Sequence, residues 1–584
     1  MPAVAITGQR WVAFGATLAL LGSLAGCGAT THGRAGEKPN ATGGSSAAAG
    51  SAGLGGSAGL GNGGPAGEGG EGGELEAVPS TMHRLSGAEY EATVLDVLGS
   101  SVATSVREND ESFNGYDNIA EVLNVGPEMF ARYLEAAQMV ADDVFASDAR
   151  KAQIVSCQAQ DDEACIRSSI SSAGLHVFRR PLLDAELAVY QKLYVTSRAQ
   201  GALHEAALKQ VLVALLSSAQ FLYRIEFAAA ASGPQPLEPY ELASRLSYLL
   251  WSSAPDDTLL TAAAADQLSQ DDELAEQLTR MWQDPKSERF AQNFGGQWLR
   301  TRGVRQHVAD PLLFPEWTPR TAAAAAEESA GFFDQLVKEE RPVSDLLTGY
   351  PHPIGSALAS LYGLTTPMGA EPLLLPQGDR SGLLGSVAFL ARTSDERRTN
   401  PIRRGFVILD MLSCFQVPSE PPDLTWGFTF PDPPPPTVRQ LLEQSIHSDL
   451  RCIQCHALMD PIGLALEHYD AIGRYRDAYD NGAAIDSNVH LAPWPDHPDG
   501  VDVSGLPGIA ERVRTDPAFA PCVAQNLYLY GMGRTLTRDP DAHNAKALAR
   551  HWQKGPTTLK RLVKKLTLGR SFRYRDDQND GGRP

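Results

Sequence analysis

The five residues Cys452-Ile453-Gln454-Cys455-His456 are the part of this 584-residue chain whose types and spacing most directly imply chemistry. Two thiols three positions apart lie on one helical turn, so both can add across the vinyl groups on one porphyrin edge. The imidazole that follows then falls beneath the iron. With 7 Cys and 13 His in the chain, composition alone produces such a string roughly twice in a thousand sequences of this length. The string therefore predicts covalent haem c, with thioethers from Cys452 and Cys455 and His456 as proximal ligand. Other chemistries use the same residue types. A structural zinc needs a fourth ligand, and no further Cys or paired His stands at ordinary spacing. A thioredoxin-type dithiol needs a βαβ setting that the pattern lacks, and a plain disulfide remains open.

The second axial position has two candidates, His447 and Met532, with an open site as the third possibility. His447 lies five residues before Cys452, enough extended chain to pass around the ring edge. Met532 lies 76 residues after His456, an ordinary separation for a distal methionine. Met459 follows His456 on the same turn, hence on the same side of the ring, and is expected to pack rather than ligate. His490 and His497 sit in a Pro/Asp/Gly loop and are expected to be solvated. Glu467 and Asp470, near Arg474 and Arg476, could face a propionate edge or merely cap a helix.

The segments that must hold this chemistry read as helices. Leu85, Tyr90, Val94, Val97 and Leu98 form one apolar face, opened by Ser86 as N-cap and closed by Gly99. Leu208, Val211, Leu212, Leu215, Leu216 and Leu222 form a longer stripe. Leu242, Leu246, Leu249 and Leu250 follow, then Leu274, Leu278, Met281 and Trp282. An Ala-rich run over residues 320–340 ends in Phe332, Phe333, Leu336 and Val337, again at helical spacing. No regular series of strands appears. The expected class is mainly α: a multi-helix body with a C-terminal cytochrome-c-like helical domain, preceded by a signal peptide and a disordered Gly-rich tether. Pro418, Pro421, Pro422, Pro431 and the run Pro433–Pro436 forbid helix and mark a boundary.

Export agrees with haem attachment, which in bacteria takes place outside the cytoplasm. Arg10 precedes 14 apolar residues from Trp11 to Leu24, too short to span a bilayer comfortably. Leu24-Ala25-Gly26-Cys27 resembles a lipobox, which makes residues 1–26 a lipoprotein signal peptide and Cys27 the lipidated residue. Residues 41–73 hold 15 Gly, 7 Ala and 4 Ser and can bury nothing, so 27–79 is expected to be a tether of roughly 40 Å reach. The remaining units are expected at 80–200 and 203–340, a connecting unit with the Pro-rich linker at 341–436, and the haem domain at 437–578. Once Cys27, Cys452 and Cys455 are assigned, Cys157, Cys165, Cys414 and Cys522 remain. An even number in an oxidising compartment suggests two disulfides, Cys157–Cys165 locally and Cys414–Cys522 by parity alone, with free buried thiols as the alternative. Lys+Arg 50 against Asp+Glu 70 leaves a net charge of −20, which argues against nucleic acid as partner and supplies no polybasic membrane patch.

With these residues in hand, the chain resembles the planctomycete- and myxobacterial-type exported cytochrome-like proteins built from consecutive domains of unknown function. The resemblance rests on Arg84-Leu85-Ser86-Gly87-Ala88-Glu89-Tyr90, on Phe113-Asn114-Gly115-Tyr116-Asp117-Asn118 and on Phe178-Arg179-Arg180-Pro181-Leu182. It continues through Phe221-Leu222-Tyr223-Arg224-Ile225-Glu226, Leu246-Ser247-Tyr248-Leu249-Leu250-Trp251 and Thr399-Asn400-Pro401-Ile402-Arg403-Arg404-Gly405. It goes on through Asp460-Pro461-Ile462-Gly463 and its continuation to Asp470 and Gly473-Arg474-Tyr475-Arg476, and closes with Cys522, Gly533-Arg534 and Ser571-Phe572-Arg573-Tyr574-Arg575. It implies c-type haem and export, and no substrate. It also implies a histidine at position 447, and it weakens Met532, where the family more commonly has leucine. The expected function is electron transfer at the cell envelope by a single-haem lipoprotein, with an unidentified envelope redox partner. Gly28 after the lipidated Cys points to the outer membrane rather than the inner. The alternatives are a haem-assisted oxidoreductase, or a structural or polymer-binding surface lipoprotein. No catalytic residue is assigned.

Overall fold

The first helix, Gly87–Leu98, begins where Ser86 accepts from the Glu89 backbone while the Glu89 side chain returns to the Ser86 N–H, and it stops at Gly99 in the left-handed region. This is the start and stop that local chemistry dictates. The computed structural model describes residues 75–102, 106, 110–155, 162–226, 233–365, 372–378, 380, 382–417, 437–447, 450–492, 499–552 and 557–576. The signal segment, Cys27, most of the tether, Cys157, His497 and the proline run lie outside them.

The protein is mainly helical. The apolar stripes fall on the helices His204–Leu216, Pro239–Trp251, Asp271–Gln283 and Pro319–Lys338, with their periodic residues buried. One stripe breaks earlier than its pattern: Leu222 belongs to a separate short helix, Ala219–Leu222, because the Ser218 hydroxyl caps Phe221. A serine that can bond its own downstream backbone interrupts a helix even where the apolar spacing continues.

Among the described residues the sheets are two-stranded and antiparallel. They join distant parts of the chain. His83–Arg84 pairs with Tyr223–Arg224, and Gln235–Pro236 pairs with Tyr574–Arg575 near the C-terminus.

Gly70 to Pro584 form one compact unit, whose largest apolar core takes in Leu75, Tyr116 and Ile119 and runs from Leu237 through the central helices to Phe572. The link is aromatic. Tyr530, on the Phe519–Met532 helix, lies 5.3 Å from Phe294 and 6.1 Å from both Phe290 and Tyr116, ring centre to ring centre. The loop Phe113–Asn118 supplies the polar ties. Tyr116 donates to Asn526 Oδ1 at 2.9 Å, Asn118 donates to the Tyr530 carbonyl at 2.9 Å, and Asp117 pairs with Arg302 at 2.7 Å. Gly115 has a φ of 83°, a conformation that favours glycine, and a Cβ there would have to displace the Arg300 guanidinium.

Cys414 and Cys522 are disulfide-bonded, 108 residues apart. Cys165 is also in a disulfide; Cys157, its expected partner, lies outside the described residues.

Candidate functional site

The Cys452–His456 string lies on the helix Leu450–Leu464. Helical geometry puts Cys452, Cys455 and His456 on one face, since positions three and four apart are neighbours on a helix surface. Cys452 is buried, Cys455 is half-buried, and neither is in a disulfide.

This helix is held by another, Pro401–Ser413, which starts at Asn400 as N-cap with Pro401 in its first turn. The two backbones touch through a pair of glycines. A Cβ at Gly405 would lie 1.9 Å from the Met459 carbonyl oxygen, and one at Gly463 would lie 1.9 Å from that of Pro401. Only residues without side chains permit this approach. Arg404, fully buried, then reaches past the end of the motif helix. It donates to the carbonyls of Leu466 and Tyr469 at 2.9 Å each and of Asp470 at 3.0 Å. Carbonyls beyond the helix end, which have no intrahelical donor, are thereby satisfied. Burial draws the Arg404 guanidinium down to about 10 and pushes the neighbouring Glu467 carboxyl up.

The motif's imidazole is oriented by a carboxylate. Asp460, wholly buried, accepts from His456 Nδ1 at 3.0 and 3.1 Å and from His447 Nε2 at 2.8 Å. The two imidazole rings stand 6.4 Å apart. With Nδ1 donating to Asp460, the His456 Nε2 is the nitrogen left with a lone pair, and among the described residues it makes no hydrogen bond. Fixing one ring nitrogen on a carboxylate is how proteins select the tautomer and aim of a metal-binding histidine, and it raises the basicity of the ligand. The donor set fits covalent haem: two thiols at the attachment spacing and an imidazole presenting Nε2. Among the described residues no group of three His, Cys, Asp or Glu side chains is arranged to hold a metal ion.

The other expected residues divide. His447 is brought to the motif, with its Nε2 engaged by Asp460. Met532, at the end of its helix, lines a small cavity with Thr81, His83, Arg224, Glu226, Arg245 and Arg534, and no motif residue borders that cavity. Met459 is buried in the core, as its place on the turn predicts. His490 is exposed on a hairpin strand and pairs with Asp502 at 2.7 Å. Glu467 and Asp470 are interior: Glu467 accepts from Thr399 and Arg476 at 2.9 and 3.2 Å, and Asp470 accepts from Arg474 at 3.0 Å. Both brace the segment after the motif helix. Asp460 carries no role in the sequence reading, although it stands one helical turn beyond His456. An acid four residues after a histidine is ordinary on a helix, and only burial shows that this one orients a ring.

Four family models match the chain in series. PSD3, protein of unknown function (DUF1587), covers residues 83–146, and PSD5, protein of unknown function (DUF1595), covers 165–226. PSD4, protein of unknown function (DUF1592), covers 237–364, and PSCyt3, protein of unknown function (DUF1588), covers 380–479. No curated protein and no solved structure matches. The last matched segment takes in both touching helices, Asp460 and the Cys452–His456 string. The chain thus carries, within residues 83–479, four planctomycete-type domains of unknown function in series, the last of which, PSCyt3, is cytochrome-like.

Proposed function

We propose that this chain is an exported, lipid-anchored, single-haem electron-transfer protein of the cell envelope. The observation that carries the reading is the buried Asp460 carboxylate on His456 Nδ1, which leaves Nε2 of the motif histidine as the ligand atom. In this reading Cys452 and Cys455 hold the ring edge through thioethers and His456 holds the iron. When bound, the haem supplies one-electron chemistry. Asp460 keeps the His456 ring in a single tautomer and orientation, and the Gly405–Gly463 crossing keeps the motif helix rigid against its neighbour. Acylation of Cys27 and the tether of 27–79 would let the folded body meet an envelope redox partner while staying anchored, at the outer membrane by the residue that follows Cys27.

The test is the chain expressed with its own export signal in a host that matures c-type cytochromes. Reduced and oxidised visible spectra and a pyridine haemochrome assay are expected to show thioether-linked haem in the wild type and none in Cys452→Ala/Cys455→Ala. A low-spin reduced spectrum unmoved by carbon monoxide supports electron transfer. A high-spin spectrum that carbon monoxide shifts moves the reading to a haem-assisted oxidoreductase. An exported wild type without haem overturns both.

Asp460→Asn is the matching second-residue test. It keeps an oxygen able to accept from His456 Nδ1 but removes the negative charge that makes the ring a stronger donor to ferric iron. The reduction potential of the haem-bearing variant is expected to rise, with the haemochrome spectrum retained. An unchanged potential in a redox titration would sink this role for Asp460.

A further inference from the structure

The Asp460 carboxylate serves two imidazoles at once, and this decides on which side of the motif His447 stands. Asp460 Oδ2 accepts from His447 Nε2 at 2.8 Å and from His456 Nδ1 at 3.1 Å, while its Oδ1 accepts from His456 Nδ1 at 3.0 Å. The carboxylate is wholly buried, so these ring N–H groups replace the water it gives up.

His447 is also fixed by its backbone. It follows the helix Val438–Ser445, and its N–H returns to the Leu442 carbonyl at 3.0 Å, beside that of Ile446 at 2.9 Å. Leu442 and Ile446 are buried in the core that also takes in Cys452 and Met459. Passing around a ring edge to the distal side needs an extended chain, and the chain here is a closed turn at the end of an anchored helix. The two nitrogens of an imidazole face nearly opposite ways. His456 turns Nδ1 to Asp460, so its Nε2 points away from that carboxylate and from the His447 ring that shares it. A second axial ligand must approach from beyond Nε2, and His447 lies on the Nδ1 side.

Resting on the haem reading above, we propose that His447 is a positioning residue on the proximal side and not the second axial ligand: its Nε2–H holds the Asp460 carboxylate, which in turn aims His456. An aspartate on a helix can swing about its side-chain torsions, and a second donor on Oδ2 removes that freedom. The same donor draws off part of the negative charge that would otherwise act on His456 alone. A sixth ligand, where the iron has one, comes from another residue.

The experiment compares His447→Gln and His447→Leu with the wild type, all matured with haem, by visible and electron paramagnetic resonance spectra and by redox titration. Both variants are expected to keep the wild-type coordination spectrum, because neither loses a ligand. Glutamine retains an N–H for Asp460 and is expected to keep the potential. Leucine offers none, so Asp460 turns its full charge on His456 and the potential is expected to fall. A purely structural role would move the melting temperature and leave the potential alone. A changed spin state or low-spin signature in either variant overturns the proposal, as does a potential in His447→Leu that stays or rises. The shared carboxylate is tested apart from the haem by nitrogen NMR of the histidine rings in the full chain carrying Cys452→Ala/Cys455→Ala. His456 is expected there as the Nδ1–H tautomer, and adding Asp460→Ala is expected to move the His456 and His447 resonances together. A wild type without haem defeats the haem reading. A His456 found in the Nε2–H form, or a His447 unmoved by Asp460→Ala, defeats this one.

Discussion

Gly405→Ala/Gly463→Ala is expected to destabilise the chain by about 3 kcal/mol, although alanine is the better helix former at both positions. Two effects of opposite sign compete. Alanine in place of a mid-helix glycine gains up to about 1 kcal/mol at each site through reduced freedom of the unfolded chain. Each new methyl, however, would sit 1.9 Å from a backbone carbonyl oxygen of the facing helix. A backbone oxygen in a helix cannot turn aside as a flexible side chain can, so the helices must separate, at about 3 kcal/mol for a forced overpacking. The steric loss therefore exceeds the propensity gain, by about 2 kcal/mol for either single variant. The double variant falls short of twice that, because one separation relieves both clashes. Gly331, on the Pro319–Lys338 helix with nothing within 4 Å of a built Cβ, is the control. Gly331→Ala is expected to raise the urea midpoint while the crossing variants lower it. A crossing variant that also raises it would show that the two backbones do not touch.

Removing the second bridge, in Cys414→Ala/Cys522→Ala, is expected to lose about 4 kcal/mol of stability, in line with loop closure over about 100 residues. The 108-residue separation matters because the enclosed loop includes the whole motif helix, Asp460 and the bracing carboxylates. Without the bridge, the unfolded chain regains the freedom of that entire segment. Unfolding midpoints measured with and without reductant check this. The wild type is expected to fall by more than the variant on reduction, the variant's residual shift reporting the bridge at Cys165. Equal shifts would mean that the Cys414–Cys522 bond adds nothing.

Much of the local structure was readable in the residues. Ser86 and Gly99 bound their helix because a hydroxyl cap and a left-handed glycine act on the nearest few backbone groups. The leucine stripes marked helices because a 3.6-residue period is a local property of the chain. Where a local signal failed, a competing local bond explains it, as at Ser218. The Cys414–Cys522 pairing came from parity, and geometry bears it out.

What the sequence determined by itself is the helical class, the caps and the Cys452–His456 string, all set by residues within a few positions of one another. Only the tertiary structure decided that His447 and His456 share Asp460, that Gly405 and Gly463 let two helices touch, and that Tyr116 meets Asn526. These relations join residues up to 410 positions apart, as from Tyr116 to Asn526. An aspartate, a glycine or a tyrosine has the same local preferences whether or not it meets such a partner. Its role follows from burial and from what the packed core leaves beside it, which no local spacing encodes.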